Sequence, residues 1–133
     1  MSELSKKRLR LRIIVPAFPA FNVYSYIAHK TTALGPVCVA SAVNEMQGWD
    51  VEVIDENNLR RYGPRAEDGG ADHAFLQEHR PADVIGLYGG LTSTIPRLYE
   101  VAKFYKGRNR DIVTIAGGQH FVAETIPEAL NSG

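Results

Sequence analysis

The chain has 133 residues, with 15 Lys and Arg against 15 Asp and Glu, so its formal net charge at pH 7 is zero. That balance removes the electrostatic case for nucleic acid or a membrane surface as partner. The single cysteine, Cys38, leaves no disulfide and no cysteine cluster for zinc or iron–sulfur.

A hydrophobic content of 44% over this length suits one domain with its own core. No apolar run approaches the ~20 residues of a spanning helix. No signal-peptide pattern precedes the first strand, so the expected location is the cytoplasm. Residues 1–9 read as a basic tail, with Lys6, Lys7 and Arg8 leading into Arg10 and Arg12. Arg10 and Arg12 alternate with Leu9 and Leu11, which reads as a solvated tail entering a strand.

Leu11 to Val15 is a continuous apolar strand closed by Pro16. Ala17 to Ala33 reads as a long loop carrying Phe18, Phe21, Tyr24 and Tyr26, either a hydrophobic lid or packing for an ordered loop. Leu34-Gly35-Pro36 opens a helix, with proline acceptable in the first turn. Val39, Ala40, Val43 and Met46 fall on one buried face of it, Cys38 reads as a small core residue, and Gly48 ends it.

Trp49 to Asp55 is a second strand, alternating enough to lie near a sheet edge. Glu56 to Gly70, with Pro64 and three glycines, reads as a loop. A weaker helix is expected over Ala71 to His79, with His73 and His79 facing solvent. Asp83 to Tyr88 is a third strand, followed by Gly89-Gly90. Thr94 reads as an N-cap with Pro96 just inside the next helix. Ile95, Leu98, Tyr99, Ala102 and Tyr105 form its core stripe, and Gly107 closes it. Ile112 to Ala116 is a fourth, buried strand, and Ile126 to Leu130 a last helix before Asn131-Ser132-Gly133.

Strands separated by helices of this length imply βαβ units and a parallel sheet. Right-handed crossovers place helices on both faces. The expected fold is a three-layer Rossmann-like, flavodoxin-like α/β domain over residues 10–133, strand order 2-1-3-4, with a fifth strand expected next. The pattern reads as a piece of a longer protein.

The turn after strand one, Pro16-Ala17-Phe18-Pro19-Ala20, carries no G-x-G-x-x-G, and no P-loop lysine motif occurs. The acidic residues of a phospho-acceptor site and a Ser/Thr/Gly-rich flavin phosphate loop are also missing. Three loops converge at the carboxyl edge of the sheet, where open α/β folds bind ligands. They are the aromatic loop after strand one, Tyr88 to Ser93, and Gly117 to His120. Glycines ending a strand let the backbone turn sharply and leave room beside it. Gly117-Gly118 reads either as a tight turn packing the next helix or as a ligand groove. Gln119 and His120 read equally as capping or as ligand-contacting groups. No nucleophile–base pair appears, so the chain reads as a binding module without catalytic or metal-ligating residues.

Asp83-Val84-Ile85-Gly86-Leu87-Tyr88-Gly89-Gly90, followed by Ile112-Val113-Thr114-Ile115-Ala116-Gly117-Gly118, resembles the cobalamin-binding domain of B12-dependent radical S-adenosylmethionine enzymes. Ala33-Leu34-Gly35-Pro36, Val51-Glu52-Val53-Ile54-Asp55, Gly117-Gly118-Gln119-His120-Phe121 and Ile126-Pro127-Glu128-Ala129-Leu130 add to the likeness. The resemblance implies cobalamin as ligand, with Gly117 and Gly118 passing its nucleotide tail. It places Tyr88, Gly89 and Gly90 where the family often has Ser-x-Leu against the lower base, with Thr92 and Ser93 as sources of the missing hydroxyl. Leu34, Gly35, Gln119 and His120 complete the implied contacts.

The Asp-x-His-x-x-Gly motif of methionine-synthase-like members is absent. His29 lies in that loop with Ile27, not Asp, two positions earlier. It reads as an exposed loop histidine or, less simply, as a cobalt ligand. The resemblance therefore implies base-off cobalamin without a protein histidine. It also implies a downstream radical enzyme domain, whose 4Fe–4S cluster and S-adenosylmethionine belong to the parent protein, a methyltransferase type. The competing readings are a flavodoxin-like module for FMN or another phosphorylated ligand, and a protein-interaction domain without cofactor.

Overall fold

The computed structural model describes residues 7–20, 23, 25–28 and 30–132, and for residues 25 and 60–62 the backbone alone. The expectations for Lys6, Phe21, Tyr24, His29 and Gly133 lie outside the described residues. Four strands, β1 (Leu9–Val15), β2 (Trp49–Asp55), β3 (Val84–Tyr88) and β4 (Val113–Gly117), form one sheet in the order β2-β1-β3-β4. Every pairing is parallel. This is the expected Rossmann-like α/β fold. The helices are α1 (Ser25–Ala28), α2 (Leu34–Asn44), α3 (Glu56–Tyr62), α4 (His73–His79), α5 (Ile95–Arg108) and α6 (Ile126–Asn131). Among the described residues no helix is long and apolar enough to cross a membrane.

The pleat divides the core in two. Leu11 and Ile13 pack with Ala40 and Val43 of α2 on one face. On the other, Ile14, Ile54, Ile85 and Leu87 meet Leu76 of α4 and Leu98, Val101, Ala102 and Tyr105 of α5. Because α2 covers only the β1–β2 half of its face, the β3–β4 half is bare among the described residues. That is why Val39, expected in the core, is 54% exposed. Met46, expected there too, follows the last turn of α2 and is 56% exposed. Cys38, also expected in the core, is exposed because it falls on the side of α2 turned away from the buried Pro36 and Ala40. β4, expected to be buried, is an edge strand with Val113 and Ile115 more than half exposed.

Two stretches expected as loop contain helix. One is the short α1. The other is α3, which starts because the Asp55 side chain accepts the backbone N–H of Asn57. Thr94 precedes α5, but its hydroxyl donates to the Leu91 carbonyl and caps no helix N–H. Gly107 lies inside α5, which runs to Arg108.

Arg12 and His73 also correct their solvent-facing expectation. Arg12 points to the α4–α5 face and has no exposed surface. Its guanidinium donates to Glu52 at 2.6 Å, to Gln77 at 2.9 Å, to the Tyr105 hydroxyl at 3.2 Å and to the carbonyls of Leu76 and Arg80. The Tyr105 hydroxyl also meets His73 Nδ1 at 2.8 Å, and His73 Nε2 meets Glu56 at 3.2 Å. This geometry fits an Nε2–H tautomer that donates to Glu56 and accepts from Tyr105. Arg97 grips both Glu56 oxygens, and Glu56 Oε1 accepts the Ala17 N–H. Buried polar groups are tolerable only when partnered in this way.

Burial alone raises the Glu56 carboxyl, but hydrogen bonds from His73 and Arg97 outweigh it and bring it down to about 2. A depressed carboxylate stabilises the fold above its unfolded pKa of about 4.5, and that contribution is lost as pH falls toward 2. Urea titrations from pH 6 to pH 2 are expected to show a loss of about 3 kcal/mol from this group. Glu56→Gln should cost a similar amount at pH 7 and flatten the acid limb. An unchanged acid limb in that variant would contradict the assignment.

Candidate functional site

The topology puts the carboxyl ends of β1 and β3 side by side, with their following loops diverging. This is the switch point at which open α/β sheets bind ligands. A cleft of about 300 Å³ opens there. Val15, Pro16 and Phe18 form one wall, and Thr31, Thr32 and Ala33, before α2, another. Asp55 and Asn57 close the β2 side, and Tyr88, Gly90, Thr94 and Gln119 the β3–β4 side.

Asn57 holds this cleft in shape. Its side-chain oxygen accepts the Phe18 N–H at 2.9 Å, and its amide nitrogen donates to the Pro16 carbonyl at 3.3 Å. Asp55 Oδ1 accepts both the backbone and side-chain N–H of Asn57, and Oδ2 accepts Asn58 Nδ2 at 3.1 Å. Burial raises the Asp55 carboxyl above its ordinary value, with the Asn57 hydrogen bonds opposing.

A second hollow, about 440 Å³, lies on the bare half of the α2 face. Its floor is Leu11, Ile13 and Gly86, its walls are Val39 and Val43 of α2 and Ile115 of β4, and its upper end is Gly35, Tyr88, Gly117 and Gly118. The lining is almost wholly apolar. Tyr88 borders both hollows. Its ring lies directly over Gly90, where a β-carbon would sit 2.4 Å from the ring, and faces Gly35 at 3.9 Å from the same construction. A third hollow, about 470 Å³, separates α5 from α6 beside β4 on the opposite face. The buried Tyr99 hydroxyl beside it has no partner among the described residues.

The expected site residues therefore divide. Tyr88, Gly90 and Gln119 line the cleft, while Gly35, Tyr88, Gly117 and Gly118 line the groove. Gly89 is packed beneath Phe121 and Ile95 and reaches neither. Thr92 and His120 are joined at the rim, Oγ1 to Nδ1 at 3.1 Å, while His120 Nε2 meets no partner among the described residues. Ser93 and Leu34 are exposed and line neither hollow. Tyr26 is 73% exposed. The sequence reading overlooked Asp55 and Asn57 as cleft residues and Gly86 as the groove floor. An acidic residue ending a strand, followed by two asparagines, was the available signal.

Among the described residues no three His, Cys, Asp or Glu gather to hold a metal ion. No family model, curated protein or solved structure matches this chain. The site's chemistry must be read from its own residues.

Gly117, the last residue of β4, and Gly118 just beyond it differ. Gly118 has φ +123°, and a β-carbon there would lie 2.5 Å from the Gly89 carbonyl oxygen. Gly117 has nothing within 4 Å of that position. Gly118→Ala is expected to destabilise by about 2–3 kcal/mol through strain and clash, whereas Gly117→Ala should lie within about 1 kcal/mol of wild type. Thermal melts of the two variants check this contrast; equal losses would refute it.

Proposed function

We propose that this chain is a cobalamin-binding module, belonging to a cytoplasmic B12-dependent radical S-adenosylmethionine enzyme. The observation that carries the reading is the apolar groove descending from Gly117-Gly118 along the α2 face of the sheet. Its size falls within the ~300–1,000 Å³ of small-molecule sites. Its upper end opens at glycines, and the Gly117 β-carbon position is empty, so a ligand's tail has a backbone-lined entrance. Gly86 keeps the floor flat where β3 crosses it.

In this reading the corrin lies on the carboxyl edge, over the cleft and the rim formed by Thr92 and His120. The nucleotide tail occupies the groove between Val39, Val43 and Ile115. The donor set fits such a cofactor: an apolar slot for an aromatic base, and polar groups at the edge for peripheral amides. Methylcobalamin, when bound, supplies a transferable methyl group. The residues of this chain hold and orient it, and exclude water from the tail. The cluster, S-adenosylmethionine and the reaction itself belong to the downstream domain of the proposed parent.

A second reading has one observation in its favour. α2 starts at the switch point with no side chain capping it, an arrangement suited to the phosphate of FMN. Mixing the protein with hydroxocobalamin separates the two. The cobalamin reading expects co-elution and a base-off visible spectrum, and absence of binding at high micromolar concentration would sink it. Yellow protein with flavin fluorescence would favour the second. Gly117→Val, whose β-carbon meets nothing within 4 Å, is expected to weaken cobalamin about tenfold or more by filling the groove entrance. Unchanged affinity would remove the groove from the argument.

A further inference from the structure

The cleft at the switch point has an electrostatic character distinct from the groove. Among its described lining residues there is no Lys, Arg or His, and Asp55 is the one carboxylate. Glu56, the next residue, is already gripped by Arg97 and His73. Arg97, the cation nearest in this network, is committed to Glu56 and Glu100. The start of α2 brings roughly half a positive charge, against the full negative charge of Asp55. Pro36, in its first turn, has no N–H to offer a phosphate.

Asp55 also keeps capacity to accept. Among the described residues Oδ1 takes two hydrogen bonds from Asn57, but Oδ2 takes one, from Asn58. A carboxylate oxygen accepts about two. Thr31, Thr32, Thr94 and Gln119 line the same cleft with further neutral polar groups.

We propose that the cleft takes an uncharged hydrogen-bond donor group and rejects phosphate, with Asp55 as the acceptor that sets this preference. Resting on the cobalamin reading, the donor is a primary amide on the corrin periphery. A phosphate at the same place meets a carboxylate with no compensating cation among the described lining residues, whereas an amide N–H₂ gains a charge-assisted hydrogen bond. The cleft thus opposes the phosphorylated-ligand use to which the start of α2 alone would point.

Asp55→Asn is the suitable variant, since asparagine caps a helix as well as aspartate and α3 should persist. Cobinamide has the peripheral amides but no nucleotide tail, so its binding leaves the groove out of the measurement. Visible titration is expected to show about tenfold or greater weakening of cobinamide in Asp55→Asn, with a melting temperature lowered by no more than about 5 °C through loss of the Asn58 contact. Amide resonances of residues 31–33 and 55–57 should stay unmoved by inorganic phosphate or FMN in the wild type.

Equal cobinamide affinity in the two proteins would overturn the role of Asp55. Phosphate or FMN shifting those amides in the wild type would overturn the charge preference. Should the wild type bind neither hydroxocobalamin nor cobinamide, the cobalamin reading fails, and the cleft is judged with acetamide against phosphate. Acetamide shifting the same amides, with phosphate silent, upholds the inference; the reverse, or no response to either, overturns it.

Discussion

Arg12 carries a positive charge at a position with no water, in the middle of the first strand. An unpartnered guanidinium there would be prohibitively costly. Its five donors are instead answered from three elements: Glu52 on the neighbouring strand, Gln77 and two carbonyls at α4, and the Tyr105 hydroxyl on α5. None of these partners is near Arg12 in sequence. The charge is satisfied only when β2, α4 and α5 all stand in place, so a single residue ties the sheet to its helical cover.

The chain of contacts does not stop there. Tyr105 passes to His73, His73 to Glu56, and Glu56 to the Ala17 N–H in the wall of the cleft. A polar route thus links the interior with the carboxyl edge. Next to it, Asn57 fixes Pro16 and Phe18 by both ends of its amide. The cleft is held by backbone contacts to a rigid neighbour, which suits a site that must be ready before its ligand arrives.

The parallel sheet and its order were legible because each strand is an apolar run of the right length, bounded by glycine, proline or charge. The errors have a shared cause. Periodicity shows which residues share a face, but not whether anything covers that face. Val39 and Ile115 are patterned as core and stand exposed, because among the described residues no helix lies over the half-sheet between α2 and β4, while Met46 follows the last turn of α2. Arg12 and His73 failed in the other direction. Their residue types point to solvent, and only long-range partners make burial tolerable. The glycines at the carboxyl edge were found, but their division of labour was not. Gly118 answers to the Gly89 carbonyl across the sheet, a contact that spans two strands. Asp55 read as the end of a strand, and its place in the cleft depends on loops that approach only in three dimensions.

Among the described residues strand β4 pairs with β3 alone, and its Val113 and Ile115 side chains stand exposed on one face of the sheet. Backbone groups along such an edge recognise any extended peptide, whatever its sequence. Addition of one strand in parallel regenerates an edge of the same kind, so the process has no built-in stopping point. Such an edge is where the fifth strand expected from the sequence would pair, and it is equally open to a strand from another chain. A lysine placed at the exposed edge addresses solubility without touching either the cleft or the buried network, and the two problems can be engineered apart.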